Sequence, residues 1–301
     1  MSPKEEPLHL HVAGRDLEIS HPNKAFWPRL GLTKGDLVRY YQQVSRYLLP
    51  RLKDRPFVMK PYPEGAGGPS YYRWEIPSYA PSWVHRWPYE ARTEERRIEM
   101  IVIEDLADLL WVAGQACIEL HPWLSRRDDP EHPDLALFDL DPGPGAGFEG
   151  ALQVGAHLRE DLERRGLRCY AKTSGGKGLH VLVPVARRYL FREVRAWVRR
   201  VAAELQALHP HEVTTNKVLT ARRSKVLVDY AQNGLGKSVA AAYSARATPL
   251  ATVSAPLTWA EVAHGKVRPN DFTLLTMPKR LEKVGDLLAG IEKGQELPAG
   301  G

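Results

Sequence analysis

The chain has 301 residues, 43% hydrophobic and 26% charged, with 42 Lys and Arg against 36 Asp and Glu for a formal net charge of +6. No apolar run reaches the ~18 residues of a membrane-spanning helix. The two cysteines, Cys117 and Cys169, lie too far apart for a zinc-finger spacing or a disulfide framework. The opening M-S-P-K-E-E-P carries no apolar signal region, so the expected setting is cytoplasmic with both thiols buried. The positive balance favours an anionic partner such as nucleic acid, and Trp and Tyr interspersed with basic residues suit a single-stranded surface.

Leu8 to Ile19 predicts a short strand pair turning at Gly14. Thr33 followed by Asp36 resembles a capping box. The helical spacing of Leu37, Tyr40, Tyr41, Val44, Tyr47 and Leu48 then predicts a helix to about Leu49. At its start, Lys24, Lys34 and the outward backbone amides fit an anion site, or an ordinary solvated first turn. Pro56–Tyr62 predicts a strand carrying Lys60. Beyond a glycine-containing loop, Tyr71, Tyr72, Arg73 and Trp74 suit stacking on exposed bases, or packing on the core. Pro77–Trp87 reads as loop, Ile98–Ile103 as strand, Glu104–Val112 as helix and Ala116–His121 as a further strand. Phe148–Gly166 and Phe191–Leu208 read as helices, and the chain from Leu257 on as helical pieces with a flexible Pro298–Gly301 tail.

Leu135–Pro142, L-A-L-F-D-L-D-P, predicts a strand ended at once by Pro and Gly. Side chains alternate along a strand, so Asp139 and Asp141 share a face. They fit a hard divalent cation with oxygen ligands, or solvated acids capping the turn. Cys169–Pro184 predicts strand, glycine turn, strand, with Ser174, Lys177 and three glycines suited to a phosphate, or a hairpin whose glycines are there for steric reasons alone. It is not a P-loop, because Ala171 and Gly178 stand where that motif needs Gly and Ser or Thr. Val226–Tyr230 predicts a strand with Asp229 among β-branched residues, a costly place for a carboxylate unless paired or metal-bound. Three carboxylates beside a glycine–lysine turn match two-metal phosphoryl-transfer chemistry.

In combination, F-D-L-D-P at Phe138, S-G-G-K-G-L-H at Ser174, V-D-Y-A-Q-N at Val228, E-L-H-P-W at Glu119, Y-S-A-R-A at Tyr243 and V-S-A-P-L-T-W at Val253 resemble the polymerase domain of bacterial DNA ligase D, of the archaeo-eukaryotic primase superfamily. The match covers roughly Leu10 to Leu288. The resemblance implies a mixed α/β fold, with a recognition-motif-like catalytic palm at 131–301 and an N-terminal α/β subdomain at 1–130 making 5′-phosphate and template contacts. It implies template-directed nucleotide addition to a primer 3′-OH at gaps and breaks in non-homologous end joining, with ribonucleotides preferred. Asp139, Asp141 and Asp229 would hold two Mn²⁺ or Mg²⁺ ions. Ser174, Lys177, His180 and Arg246 would hold the triphosphate of the incoming nucleoside triphosphate. His121, Lys60, Arg222 and Gln232 would line the nucleotide and primer-terminus pocket. Lys24 and Lys34 would take a 5′-phosphate, and Tyr71 and Tyr72 would stack on template bases. His21 stands where the family commonly has asparagine, and Arg73-Trp74 replaces a Gln-Lys type sequence.

The partners implied are gapped or broken 5′-phosphorylated DNA, Ku and a separately supplied ligase, in a cytoplasmic, nucleoid-associated setting. Two other functions fit the same residues: a stand-alone primase-polymerase acting in priming or excision repair, and a non-catalytic DNA-end-binding module.

Overall fold

Alternating apolar and polar residues make a hairpin of Leu8–Val12 (β1) and Arg15–Ile19 (β2), with Leu17 and Ile19 buried. The computed structural model describes residues 6–91 and 96–298; the last three residues of the expected flexible tail lie outside these. Ala25–Trp27 (β3) pairs with Leu32–Thr33 (β4), which leads into the helix Lys34–Leu52 (α1). Thr33 and Asp36 close the expected capping box, and Leu37, Tyr41, Val44 and Leu48 are fully buried.

Pro56–Val58 (β5), Arg86–Ala91 (β6), Arg96–Val102 (β7) and His121–Pro122 (β8) form a sheet in the order β6-β7-β5-β8. The helix Leu106–Gly114 (α2) packs against α1 and β2. The strand expected at Pro56–Tyr62 is shorter and leaves Lys60 outside it. The one expected at Ala116–His121 shrinks to β8, because Ala116 adopts φ 63° in the turn that leaves α2. The first two residues of β6, Arg86 and Trp87, fall in the stretch read as loop. Its Pro88 is tolerated because β6 is the sheet edge, where a missing N–H costs no ladder bond. These elements, with Ser238–Val253 and Thr273–Lys283, are the first of two compact units.

The second unit comprises Trp123–Lys237, Ser254–Phe272 and the chain from Val284 on. A small pair, Ser125–Arg126 (β9) and Asp129–Pro133 (β10), precedes Leu135–Pro142 (β11). Then come the helix Gly147–Arg164 (α3), Tyr170–Thr173 (β12), Leu179–Pro184 (β13), the helix Phe191–Leu208 (α4), Val213–Thr214 (β14), Val226–Asp229 (β15) and Pro256–Leu257 (β16). The sheet order is β14-β15-β11-β13-β12-β16, antiparallel except for β14 with β15. Even-numbered residues of β11 face the helices. Phe138 meets Trp197 of α4 edge-on at 5.6 Å, and Leu140 and Leu179 crowd Gly155 of α3. Val194, Trp197, Val198, Val201 and Leu205 form the buried face of α4 as their spacing predicts. Both cysteines are buried, and desolvation pushes each thiol up to about 12. Among the described residues no helix is long and apolar enough to cross a membrane.

Candidate active site

Since the even-numbered side chains of β11 pack on α3 and α4, Asp139 and Asp141 project from the opposite face. Asp139 is paired in register with Asp229 on one side and His180 on the other, and His180 is in turn opposite Lys172. Registered residues share a face. A row of polar side chains, Asp229, Asp139, His180 and Lys172, therefore crosses four adjacent strands where an apolar sheet would have Val or Ile.

The row is internally ordered. Lys172 is 2% exposed, and its Nζ lies 2.8 Å from His180 Nδ1 and donates to Ser254 Oγ at 2.7 Å. An ammonium has only donors, so His180 Nδ1 accepts and Nε2 carries the proton. That Nε2 lies 3.3 Å from Asp139 Oδ1. At the other end Lys217 Nζ reaches Asp229 Oδ2 at 2.8 Å, and Arg222 donates to the main-chain oxygen of Asp141 at 3.1 Å. Burial raises the Asp141 carboxyl to about 6, and the charges of Asp139 and Asp229 reinforce this against the pull of Arg222 and Lys217. A carboxyl held up by two neighbouring carboxylates even with two cations close by suits a site for hard divalent ions with oxygen ligands.

The turn between β12 and β13 approaches this row closely. A Cβ on Gly178 would lie 2.7 Å from the Leu140 carbonyl oxygen and 3.3 Å from Asp141 Oδ1. Ser174 Oγ accepts from the amides of Gly176 and Gly178, both at 3.1 Å. Ser174 thus shapes the turn, and these two amides are taken up inside it, unlike the open cradle that the glycines suggest. Exposed Lys177 and Gly176 line a cavity of about 680 Å³ with the Pro142–Gly145 turn, Gly147 and Leu219. Asn233 continues the β11 ladder where β15 ends: its Oδ1 accepts from Leu137 N at 2.8 Å and its Nδ2 donates to Leu137 O at 2.7 Å. Gln232 immediately precedes it.

In the first unit Lys60, His121 and Arg246 converge on Glu119, a carboxylate that the sequence reading left without a role. Glu119 accepts from Lys60 Nζ and His121 Nε2, each at 3.0 Å, from Arg246 Nε at 3.1 Å and from Ala247 N at 3.2 Å. Burial pulls its pKa up, but the His121 hydrogen bond and the charges of Arg246 and Lys60 outweigh it and hold the carboxyl well below the usual range. Burial lowers His121, against the opposing hydrogen bond and charge of Glu119. Tyr72 is 57% exposed, stands edge-on to His121 at 6.2 Å and has Lys60 Nζ 5.4 Å from its ring centre; Tyr71 is 47% exposed.

Lys24 and Lys34 line one cavity of about 270 Å³, together with His21, Tyr71, Arg73 and Tyr79. Lys34 is 6% exposed and donates to Ser20 O at 2.7 Å; Lys24 pairs with Glu64 at 3.1 Å. The helix-start amides do not serve this cavity. Lys34 N donates to Lys24 O, Gly35 N to Pro22 O and Asp36 N to Thr33 Oγ1. The missed site residues, Glu119, Lys172 and Lys217, are lone charged side chains. Lys172 carried a weaker signal, a lysine inside a short strand between Ala171 and Thr173.

The family model described as LigD, primase-polymerase domain, matches residues 33–288. The multifunctional non-homologous end joining protein LigD of Mycolicibacterium smegmatis is 32% identical over 278 residues, 92% of this chain and 36% of that protein. The bifunctional non-homologous end joining protein LigD of Bacillus subtilis is 32% identical over 271 residues, 89% of this chain and 43% of that protein. The chain thus spans less than half the length of these relatives. Among solved structures, the polymerase domain from Mycobacterium tuberculosis ligase D in complex with DNA superposes with a TM-score of 0.86 at 30% identity, covering 92% of this chain and 98% of that one.

Proposed function

The chain belongs to the LigD primase-polymerase domain family, and from that premise we propose that it adds nucleotides to a primer 3′-OH under template direction, filling gaps and ends for non-homologous end joining. The observation that carries this reading is the polar row Asp229, Asp139, His180 and Lys172, with Asp141 beside it. Asp139, Asp141 and Asp229 would hold two divalent ions, Mn²⁺ in preference to Mg²⁺; the carboxylate repulsion that raises Asp141 supports a cation among the three. Such ions, when bound, supply an attacking hydroxyl of lowered pKa and neutralise charge on the leaving pyrophosphate.

The protein's own contribution is positioning and fixed charge. His180, held in one tautomer by Lys172, presents Nε2–H beside Asp139 and donates to a triphosphate oxygen. Ser174 holds the turn that carries Lys177 towards the same triphosphate, and Arg222 and Gln232 serve the nucleotide and primer terminus. In the first unit, Lys60, His121 and Arg246 act on the nucleotide, with Glu119 fixing their directions. Lys24 and Lys34 take the 5′-phosphate of the downstream strand in their cavity, and the exposed faces of Tyr71 and Tyr72 stack on template bases. Ribonucleotides are the preferred substrate. Filled ends then pass to a ligase, and Ku is the partner that brings ends together.

The test is primer extension on a short gapped duplex with Mn²⁺, either ribo- or deoxynucleotides, and a downstream strand with or without its 5′-phosphate. Templated addition strengthened by the phosphate supports the proposal. Addition indifferent to it points to a primase-polymerase. An inactive protein that still holds phosphorylated ends would be an end-binding module.

A further inference from the structure

A second donor set lies in the second unit, outside the polar row. We propose that His157, His209 and Glu212 form a binding site for a borderline transition-metal dication of the zinc class. The imidazoles of His157 and His209 stack with centroids 3.9 Å apart and planes 15° from parallel. His157 Nε2 lies 3.2 Å from Glu212 Oε2. One donor atom from each of the three residues lies within 4.8 Å of the other two. A tetrahedral ion with bonds of about 2.0–2.1 Å spaces its ligand atoms about 3.4 Å apart; since each imidazole lone pair lies in its own ring plane, one ring must turn out of the stack for both nitrogens to meet the ion.

The scaffold behind these groups is stiff. His157 comes from α3. His209 ends α4, its N–H donating to Leu205 O at 2.9 Å. Glu212 follows three residues later in a turn closed by Glu212 N and Val213 N, which donate to His209 O at 3.1 and 2.9 Å. Glu212 O in turn accepts from Val226 N at 2.7 Å. All three side chains are half-buried. They therefore add little apolar burial to the core, while an ion has access and keeps a water as fourth ligand.

Two imidazoles and one carboxylate select zinc, nickel or copper over magnesium and manganese, the opposite preference from an all-carboxylate row. Protons compete for the same imidazole lone pairs, so affinity falls as pH falls. An ion bound there ties α3 to the segment entering β14. That strand runs parallel to β15, with Val213 opposite Val226 and Thr214 opposite Leu227, so the clip braces the strand that carries Asp229.

The experiment is calorimetric titration of the full chain with ZnCl2, and thermal melts with and without zinc. The proteins are wild type, D139N/D141N/D229N, H157Q and H209Q. The acid-row variant is expected to keep one zinc site and its zinc-dependent rise in Tm. H157Q and H209Q are each expected to lose at least tenfold in affinity and to lose the rise, while melting within a few degrees of wild type in EDTA. Cobalt substituted into the acid-row variant is expected to give the intense visible bands of a four-coordinate ion, read without either histidine variant. Zinc binding lost from the acid-row variant, or unchanged in both histidine variants, overturns the proposal.

Discussion

Asp139 stands opposite Asp229 across the β11–β15 ladder, with His180 opposite it on the other side. Two carboxylates in register on one face repel each other, and opposed like charges destabilise a sheet. Lys217 and the Ala231 amide on Asp229, and His180 beside Asp139, offset part of this cost. Asp229→Asn is therefore expected to raise the melting temperature in EDTA and to abolish both the melting shift caused by Mn²⁺ and primer extension. DNA binding, measured by fluorescence anisotropy, should remain within about threefold of wild type. A variant that melts below wild type in EDTA would show that the pair is not repulsive.

The Asp141 carboxyl gives the same centre a pH signature. Its folded value of about 6 lies above the ordinary 3.8. The folded metal-free protein thus holds this proton more tightly than the unfolded chain, and this group's contribution to stability falls as pH rises from about 3.8 through 6. A divalent ion needs the deprotonated form. The rise in Tm on adding Mn²⁺ is expected to be large at pH 7.5 and small at pH 5.0. An increment equal at both pH values would remove Asp141 from the ligand set.

Much of this centre was legible in the sequence, because its residues break local rules. Acids at 139, 141 and 229 interrupt apolar strands, and strand periodicity alone places the first two on one face. Glu119 could not be found in the same way. It lies outside any regular element, and its partners Lys60 and Arg246 stand 59 and 127 residues away, so tertiary folding alone assembles them. The anion reading of the α1 start failed in its amide part for a similar reason: Pro22 and Lys24, in the preceding loop, supply the carbonyls that consume those N–H groups. Of the two readings of the glycines in the β12–β13 turn, the steric one accounts for Gly178, which lies against the Leu140 backbone.

That approach makes Gly178 a packing requirement. A methyl group there meets the Leu140 oxygen at 2.7 Å, and backbone cannot move aside as a side-chain tip can. Gly178→Ala is expected to cost about 1–3 kcal/mol, read as a fall in Tm of roughly 2–4 °C for each kcal/mol. Extension should fall with it, since Asp141 Oδ1 lies at 3.3 Å from the same position. Gly143→Ala makes a parallel case, its Cβ colliding with the Arg222 main-chain oxygen. Either variant melting like wild type would show that the turn has room to shift.

Glu119 is 4% exposed and holds three side chains in place. Glu119→Gln keeps the shape but turns one acceptor into a donor facing cations. Leaving such groups without an acceptor costs about 1–3 kcal/mol. The depressed carboxyl contributes stability that is fully present above the ordinary carboxylate range and is lost only as pH falls through its lower folded value. Glu119→Gln also removes the charge that supports protonation of His121, so the destabilisation measured by urea unfolding is expected to be the same at pH 8 and pH 9, where histidine is neutral in both states. A loss that changes between those pH values would mean that the effect does not come from the Glu119 carboxylate as an acceptor.

Lys172 contacts no exposed surface and offers its ammonium to His180 Nδ1 and Ser254 Oγ. Its effect on the chemistry runs through the tautomer it imposes: with Nδ1 engaged as acceptor, Nε2 keeps the proton beside Asp139. Lys172→Met removes the donor while preserving length and burial. The freed ring can then protonate at Nδ1 and bond Ser254, turning a bare nitrogen lone pair towards the acids. Loss of an orienting partner of this kind costs about 10–100-fold in activity. The expected result is a fall in kcat of that size with the Mn²⁺ melting shift retained, since all three carboxylates remain. Nitrogen-15 shifts of the His180 ring should show Nε2–H in wild type and a mixture in the variant; an unchanged tautomer with full activity would reduce Lys172 to a buried strut.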